Sequence, residues 1–240
     1  QANTVFKPGE SDAAVIRLRE QNEKNKNKVF SGVAASVDCN SRWVFLDPFR
    51  GTIAAVAESA RNVSCVGAEP VAITNNLNFS SPETEIGYWQ LSSSCDGISE
   101  ACKVLETPVT GGNVSLYNES KNILNKITPI NPTPVIGMVG RIDNVEQAIS
   151  SKWKNIHDQI WVIGSNKSET TIAASSYLEY FHGKITGRPP KIDLVDDKFC
   201  QHFLRKAILK SFVVSSHDIS DGGLSIALAE CCILSSKGAT

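Results

Sequence analysis

Two hydrophobic periods alternate along the first 150 residues of the chain. Residues 32–38 and 134–142 are rich in apolar and β-branched side chains, which predicts strands. From Thr52 to Gly67, apolar residues recur three and four positions apart, which predicts one face of an α-helix. A second helix of this kind is predicted to end at Leu105, and a buried strand over 71–74 lies between the two helices. Strand, helix, strand, helix, strand is the pattern of a layered α/β domain.

The N-terminal part of this domain predicts further strands. Residues 13–18 and 42–46 have strand-like patterns, and the turn-prone residues 39–41 suggest that 32–38 and 42–46 form a hairpin. The Asn-, Gln- and Lys-rich residues 20–28 are predicted to be a solvated loop.

The rest of the chain predicts a second unit, so we divide the sequence into domains 1–150 and 151–240. The second domain begins with an apolar strand at 159–164 and has another at 212–215. Its predicted helices cover 175–181, 193–210 and a stretch that ends at Leu234.

Composition excludes several classes of protein. The chain has 41% hydrophobic and 20% charged residues, a balance typical of a folded protein. Its net charge of -1 provides no positive surplus for nucleic acid. Its apolar stretches are shorter than the roughly 20 residues of a membrane helix, and no signal peptide precedes them. We therefore expect a cytoplasmic or plastid fragment of a longer protein, with its seven cysteines reduced and mostly buried.

The segment 110–115, Thr-Gly-Gly-Asn-Val-Ser, carries the strongest candidate chemistry. Paired glycines let backbone N–H groups approach phosphate, while the oxygens of Asn113 and Ser115 suit Mg²⁺ and a polar substrate. The alternative is a tight turn that Asn113 and Ser115 complete with hydrogen bonds, and spacing alone favours that turn.

A second polar segment follows the buried strand at 71–74. Residues 74–79 carry three amides, Asn75, Asn76 and Asn78, where open α/β sheets place their ligands. An Asx-rich turn explains the same residues equally well.

Several charged residues have ordinary structural explanations. The segments 38–42 and 47–50 contain carboxylates and guanidinium groups that could handle phosphate. The favoured interpretation is that they cap a hairpin. Asp218 and Asp221 beside a Gly-Gly turn could reach a metal, but a helix-capping role is the favoured interpretation. The four histidines have no metal-type spacing, so neither a zinc site nor a Ser-His-Asp triad is supported.

Taken together, five segments form a more specific pattern. They are Asp-Cys-Asn-Ser-Arg at 38–42, Ala-Arg-Asn-Val at 60–63, the segments 72–74 and 77–79, Gly-Gly-Asn-Val-Ser-Leu-Tyr-Asn at 111–118, and His-Asp-Ile-Ser-Asp-Gly-Gly-Leu at 217–224. In this order and spacing the chain resembles the synthetase subunit of phosphoribosylformylglycinamidine synthase, in its small-subunit form.

That resemblance implies a fold and an enzyme. Each half of the family has an aminoimidazole-ribonucleotide-synthetase-like N-terminal α/β domain followed by a C-terminal one, and this chain resembles the second half, with its last domain truncated. The implied activity is a carbon–nitrogen ligase of purine biosynthesis. It converts formylglycinamide ribonucleotide, ATP and glutamine-derived ammonia into formylglycinamidine ribonucleotide, ADP and phosphate. The implied partners are the missing first half, a glutaminase subunit and a small accessory subunit.

The resemblance also implies roles for four residues. Asn75 and Gly112 correspond to ATP contacts, Asn113 to a Mg²⁺ ligand and Ser115 to a substrate contact. The family commonly has Asp at the position of Asn75, so the negative charge at this ATP contact is missing here. The family's catalytic histidines belong to the first half, which implies no catalytic residue in this chain.

Two other functions compete with this one. The chain could instead be a non-catalytic nucleotide-binding half that acts as a scaffold and docks the glutaminase. Related kinases of thiamin monophosphate and synthetases of selenophosphate share the fold superfamily, but the segments 38–42 and 111–115 fit them poorly.

Overall fold

Alternation of buried and exposed side chains along β2 (Gly32–Asp38) and β7 (Thr133–Ile142) builds the centre of a five-stranded sheet. The computed structural model describes residues 3–19, 29–164 and 171–240, so the loop predicted over 20–28 lies outside the described residues. The other strands of this sheet are β1 (Ala14–Arg17), β3 (Glu69–Asn78) and β4 (Val109–Ser115), and the remaining strands β5 (Glu119–Lys121) and β6 (Ile127–Pro129) form a separate hairpin.

The sheet has the order β1-β2-β7-β3-β4. Strands β3 and β4 are parallel neighbours, whereas β3 and β7 are antiparallel. β4 stands at the end of this order, so no strand of the described chain covers its outer edge. The layered α/β domain predicted from the sequence is therefore confirmed, and its last strand is open to ligands on one side.

Two long helices cover one face of the sheet. They are α2 (Pro48–Cys65) and α3 (Glu85–Leu105), as the helical periods predict. Val56 and Val63 of α2 have no exposed surface and belong to one core with Ile73 and Met138 of the sheet. Burial of each such side chain contributes roughly 1.5–3 kcal/mol, which makes this layer the main stabilising element of the domain.

The hairpin predicted around residues 39–41 is wrong. Residues 42–46 belong to a short helix, α1 (Ser41–Leu46), because Asn40 Oδ1 accepts a hydrogen bond from the Trp43 backbone N–H at 3.1 Å. Asp47 Oδ1 likewise accepts from Arg50 N at 3.0 Å and begins α2. These polar residues therefore cap helices, not a hairpin, and the cap overrides the strand propensity of Trp43, Val44 and Phe45.

The C-terminal region contains the predicted helices but not the predicted strands. After a short 3-10 helix (Val145–Gln147) come α4 (Ser176–His182), α5 (Leu194–Leu209) and α6 (Gly223–Ser235). Residues 159–164 and 212–215 are not strands, and Trp161 and Phe212 are 77% and 80% exposed. A strand needs a hydrogen-bonding neighbour, and the described residues provide none for either segment.

All seven cysteines are free, as expected. The expectation that most are buried is wrong, since Cys65 and Cys231 are buried and the other five are partly or fully exposed. In the described ranges, the helices lack the combination of length and apolar character that a membrane span requires.

Candidate functional site

Strands β3 and β4 bring the four predicted site residues together. Their parallel register places Asn75 opposite Gly112, Asn76 opposite Asn113, and Asn78 opposite Ser115. Both turns proposed as alternatives for these segments are absent, because residues 74–78 and 110–115 are continuous strand. The polar residues therefore form an amide row along two adjacent strands, which we define as Asn75, Asn76, Asn78, Gly112, Asn113 and Ser115.

The amide row is divided between the two faces of the sheet. Asn75 shares the helix-facing side with the buried Ile73, and a Cβ placed on Gly112 would lie 2.0 Å from Asn75 Oδ1. On the opposite side, Asn113 Nδ2 donates a hydrogen bond to Asn76 Oδ1 at 3.2 Å. The two predicted ATP contacts thus lie on one face, and the predicted metal and substrate contacts lie on the other.

The edge position of β4 connects these two faces. Residues 109–114 are all exposed, and a Cβ on Gly111 would meet nothing within 4 Å. Gly112 has the opposite constraint, because a side chain there would collide with Asn75. Bare backbone on both sides of an open strand lets a phosphate chain approach closely and pass from one face to the other.

The end of β4 is held firmly by backbone contacts. The Ser115 carbonyl accepts hydrogen bonds from Phe79 N at 3.0 Å and from Asn118 Nδ2 at 2.8 Å. Phe79 is fully buried, so it anchors this end of the site to the core. In the described part of the chain, the Ser115 hydroxyl has no hydrogen-bond partner. The strand is therefore fixed while its hydroxyl remains available to a ligand.

An open cleft of about 570 Å³ lies next to Asn75 on the helix-facing side. Its walls are α3 and the beginning of β4, and its apolar surface includes Ile98 and Val109. The charged side chains of Lys103 and Glu106 lie at the α3 end of the cleft. Neither residue was predicted from the sequence, although Lys103 is four positions from Ser99 and Glu106 is four positions from Cys102, which are helical spacings.

A second polar group, the Arg61 network, lies away from the amide row. Arg61 Nε pairs with Asp218 Oδ1 at 2.7 Å, and its Nη1 lies 3.5 Å from Asp197 Oδ1. Asp38 accepts a hydrogen bond from Asn62 Nδ2 at 2.9 Å. Burial, together with the charges of Asp218 and Asp38, raises the pKa of Glu58 to about 7. The network therefore holds one partly buried cation among several carboxyl groups.

This network corrects the expectation that Asp218 and Asp221 cap a helix. Helix α6 has Gly222 at its N-cap and receives no side-chain hydrogen bond there. Asp218 instead binds Arg61, and its second oxygen is buried with no hydrogen-bond partner among the described residues. Capping fails because Gly222 adopts the left-handed conformation, at φ 83°, and takes the cap position itself.

The side chain of His217 lies between two carboxylates. Its Nδ1 lies 2.7 Å from Asp12 Oδ1, and its Nε2 lies 3.0 Å from Glu230 Oε2. The hydrogen bond to Asp12 is the largest cause that raises the pKa of His217 to about 9. Asp12 also accepts from the Asp218 backbone N–H at 2.7 Å. His217 thus joins the N-terminal segment to α6.

A much larger cavity, of about 3080 Å³, contains none of the four predicted site residues. It is lined by residues of α2 and α5 and by residues 155–164. We attribute its size to those unpaired segments and not to a preformed ligand site, since Trp161 and Phe212 line it while remaining mostly exposed. Within the described ranges, no three His, Cys, Asp or Glu side chains are placed to hold a metal ion.

Comparison with known proteins gives consistent relationships. Residues 10–142 match the family model "AIR synthase related protein, N-terminal domain". The chain is 90% identical over 240 residues to phosphoribosylformylglycinamidine synthase subunit PurL of Prochlorococcus marinus strain MIT 9312, and 56% identical over 247 residues to that of strain NATL1A. Both alignments cover 100% of this chain but 31% of the relative, so the chain spans about a third of the length of each relative.

Solved structures support the same fold. PurL of T. maritima complexed with ATP is 34% identical, with a TM-score of 0.51 over 61% of this chain and 22% of that one. The T. maritima PurL complex with FGAR matches 95% of this chain and 31% of that chain, with a TM-score of 0.57 and 24% identity. The second likeness is evidence for the fold alone.

Proposed function

Because the chain belongs to the family of AIR synthase related proteins, we propose that it is part of an ATP-dependent carbon–nitrogen ligase. The full-length enzyme would convert formylglycinamide ribonucleotide to formylglycinamidine ribonucleotide in purine biosynthesis, with glutamine-derived ammonia as nitrogen donor. The 90% identity to a phosphoribosylformylglycinamidine synthase subunit supports this reaction. The chain spans 31% of that relative, so it would supply one part of the active site.

The register of β3 and β4 is the observation that carries this proposal. It brings Asn75 and Gly112, proposed to bind ATP, next to Asn113 and Ser115, proposed to bind Mg²⁺ and the ribonucleotide substrate. The chain would contain no catalytic residue in the strict sense. Its contribution would be to position the nucleotide and the substrate, which lowers the barrier by holding the reacting groups in line.

Asn113 suits a supporting role toward Mg²⁺. Its side chain has an amide oxygen, which is an accepted ligand type, but neighbouring Asn76 and Ser115 are also uncharged. Asn113 would therefore hold the ion together with the phosphates of ATP and with carboxylates from elsewhere in the full-length protein. When bound, Mg²⁺ offsets the negative charge of the phosphates.

The reaction itself balances without a covalent enzyme intermediate. The amide oxygen of the substrate attacks the γ-phosphorus of ATP, and ADP leaves. Ammonia then adds to the activated carbon, and phosphate departs with the original amide oxygen. The Ser115 hydroxyl would orient the substrate, while the bare backbone at Gly112 would admit the phosphate chain.

The architecture supports two further proposals. We assign residues 1–150 to the N-terminal synthetase-like domain and 151–240 to an incomplete C-terminal-like domain, since the large apolar side chains of Trp161 and Phe212 are mostly exposed. The remaining partners would be the first half of the polypeptide, a glutaminase subunit and a small accessory subunit, all in the cytoplasm.

A scaffold role is the second candidate. The absence of charged side chains among the six residues of the amide row favours it, because phosphoryl transfer relies on strong electrostatic stabilisation. In that case the chain would bind nucleotide and dock the glutaminase without contacting the reacting groups.

Turnover by the full-length protein separates these two functions. We would assay it with formylglycinamide ribonucleotide, Mg-ATP and ammonium, and compare Asn113→Ala and Ser115→Ala with the control Ser120→Ala in the exposed hairpin. The ligase function predicts that kcat/KM falls about 100-fold in both site variants and stays unchanged in the control. Unchanged turnover in both site variants would leave the scaffold function.

A further inference from the structure

The cleft beside Asn75 has two walls of different character. The start of β4 provides apolar surface through Pro108 and Val109. The opposite wall is a single face of α3, and its volume of about 570 Å³ falls within the roughly 300–1,000 Å³ of small-molecule sites. The residues of α3 and its C-cap that line it are Cys95, Ile98, Ser99, Cys102, Lys103 and Glu106.

Polar groups occupy both ends of this cleft. Asn75 marks the end next to Gly112, where the phosphates are proposed to pass. Lys103 and Glu106 line the cleft from the C-terminal end of α3, which Pro108 and Val109 follow in sequence. The β3 partners of Val109 and Gly112 are Ile73 and Asn75, which are two strand positions apart, so the two ends are about 7 Å apart. That distance suits a nucleoside whose phosphates point to Gly112 and whose base points to Lys103 and Glu106.

The two charged residues at the base end differ in their pairing. Lys103 is exposed and makes no ion pair with any residue that the structure describes. Glu106 pairs with Lys198 of α5 at 3.0 Å and lies at the C-cap of α3 in the left-handed conformation, at φ 60°. The Lys103 ammonium is therefore available to a ligand, three residues before a carboxylate that is paired with Lys198.

We propose that Lys103 and Glu106 recognise the base of an adenine nucleotide, an inference that rests on the function proposed above. Lys103 Nζ donates to the adenine N1, and the Glu106 carboxylate accepts from the N6 amino group. Guanine has a donor at N1 and an acceptor at O6. Its N1–H would therefore face the Lys103 donor, and its O6 would face the Glu106 acceptor. Leaving those polar groups unpaired disfavours the wrong base.

The remaining walls suit the flat faces of the base. Ile98, Pro108 and Val109 offer apolar surface, and the polarisable sulfur of Cys102 lies on the same side as Ile98. The walls would supply affinity for any purine, whereas the Lys103 and Glu106 end would supply the choice between purines.

Equilibrium binding to the full-length protein tests this inference. We would titrate the non-hydrolysable analogues AMPPCP and GMPPCP into wild type, Lys103→Met and Glu106→Gln. The expected result is a Kd for AMPPCP about tenfold higher in Lys103→Met, and a preference for adenine over guanine about tenfold smaller in Glu106→Gln. Lys103→Arg should recover most of the affinity because it keeps the cationic donor.

A matched control keeps the outcomes distinct. Lys121→Met removes an exposed lysine of the hairpin, outside the cleft, so this variant should bind AMPPCP within about twofold of wild type. If Asn75→Ala weakens binding but Lys103→Met does not, the base assignment is overturned while the proposed ATP site stands. If both variants bind as wild type does, the nucleotide lies elsewhere, and both proposals fall.

Discussion

The amide row and the Arg61 network place polar side chains in opposite environments. The amide row is uncharged and lies on the edge strand β4 and its neighbour β3, whereas Arg61 and Asp218 form a charged pair that is largely buried. An unpaired buried charge strongly destabilises a protein. The charged groups of the network are therefore used to hold the fold together. Groups that remain available for ligands are found instead where the sheet is open.

The largest expected effect concerns the Arg61 network. Arg61→Met would leave Asp197 and Asp218 as uncompensated buried carboxylates and lower the free energy of unfolding by about 3–5 kcal/mol. Denaturant unfolding of the full-length protein measures this loss. The control Arg141→Met removes a solvent-exposed pair with Glu69 and should cost less than about 1 kcal/mol. Equal stability of the two variants would refute a structural role for the network.

The next effect concerns His217, which has a raised pKa. His217→Gln should lower the free energy of unfolding by about 2 kcal/mol at pH 7, because it removes the charged hydrogen bonds to Asp12 and Glu230. Since the folded pKa of about 9 exceeds the ordinary 6.5, this stabilisation is complete below pH 6.5 and is lost as pH rises through 9. The difference in free energy of unfolding between His217→Gln and the wild type should be smaller at pH 10 than at pH 6. The exposed His202→Gln should show no such difference from the wild type.

Two adjacent glycines of β4, Gly112 of the amide row and Gly111 beside it, provide a matched pair. Gly112→Ala would force a Cβ to within 2.0 Å of Asn75 Oδ1 and should cost about 1–2 kcal/mol of stability, together with weaker binding of AMPPCP. Gly111→Ala adds a Cβ that contacts nothing within 4 Å and should change stability by less than about 0.5 kcal/mol. Thermal unfolding and nucleotide titration of both variants measure the contrast. Equal behaviour would mean that the close approach of Asn75 and Gly112 is unimportant.

The smallest effect concerns Glu58 at the border of the network. Burial raises its pKa from 4.5 to about 7, so the folded state favours the protonated form, and the stability of the wild type falls as pH rises from 4.5 to 7. Glu58→Gln removes this loss and should be more stable than wild type by about 1 kcal/mol at pH 8. Unfolding curves at pH 5 and pH 8 test it, with the exposed Glu100→Gln as control. If the stability of Glu58→Gln depended on pH as that of the wild type does, Glu58 would not be the cause of this pH dependence.

Local sequence patterns predict much of the fold, and the wrong prediction for residues 42–46 shows why they sometimes fail. The periods of α2 and α3 predict their positions because apolar spacing and a core on one side act together. Residues 42–46 look like a strand yet form α1, since the single hydrogen bond from Trp43 N to Asn40 decides the local conformation. Short apolar segments without a fixed neighbour are decided by caps and partners, which periodicity does not reveal.

The candidate site could be predicted only in part for a different reason. Motif resemblance identified Asn75, Gly112, Asn113 and Ser115, but their division between two faces depends on the register of β3 and β4. The pairing of His217 with Asp12 joins residues 205 positions apart, a contact that no spacing rule indicates. Long-range contacts of this kind are set by the packing of whole elements.

The most direct test of the difference between the two polar regions is a titration of AMPPCP into the full-length protein and its Asn113→Ala variant, with and without Mg²⁺. We predict that the variant binds about tenfold more weakly in the presence of Mg²⁺, equals the wild type in EDTA, and unfolds at the same temperature. Equal affinity in the presence of Mg²⁺, or a loss of stability in the variant, would contradict a ligand-binding role for the amide row.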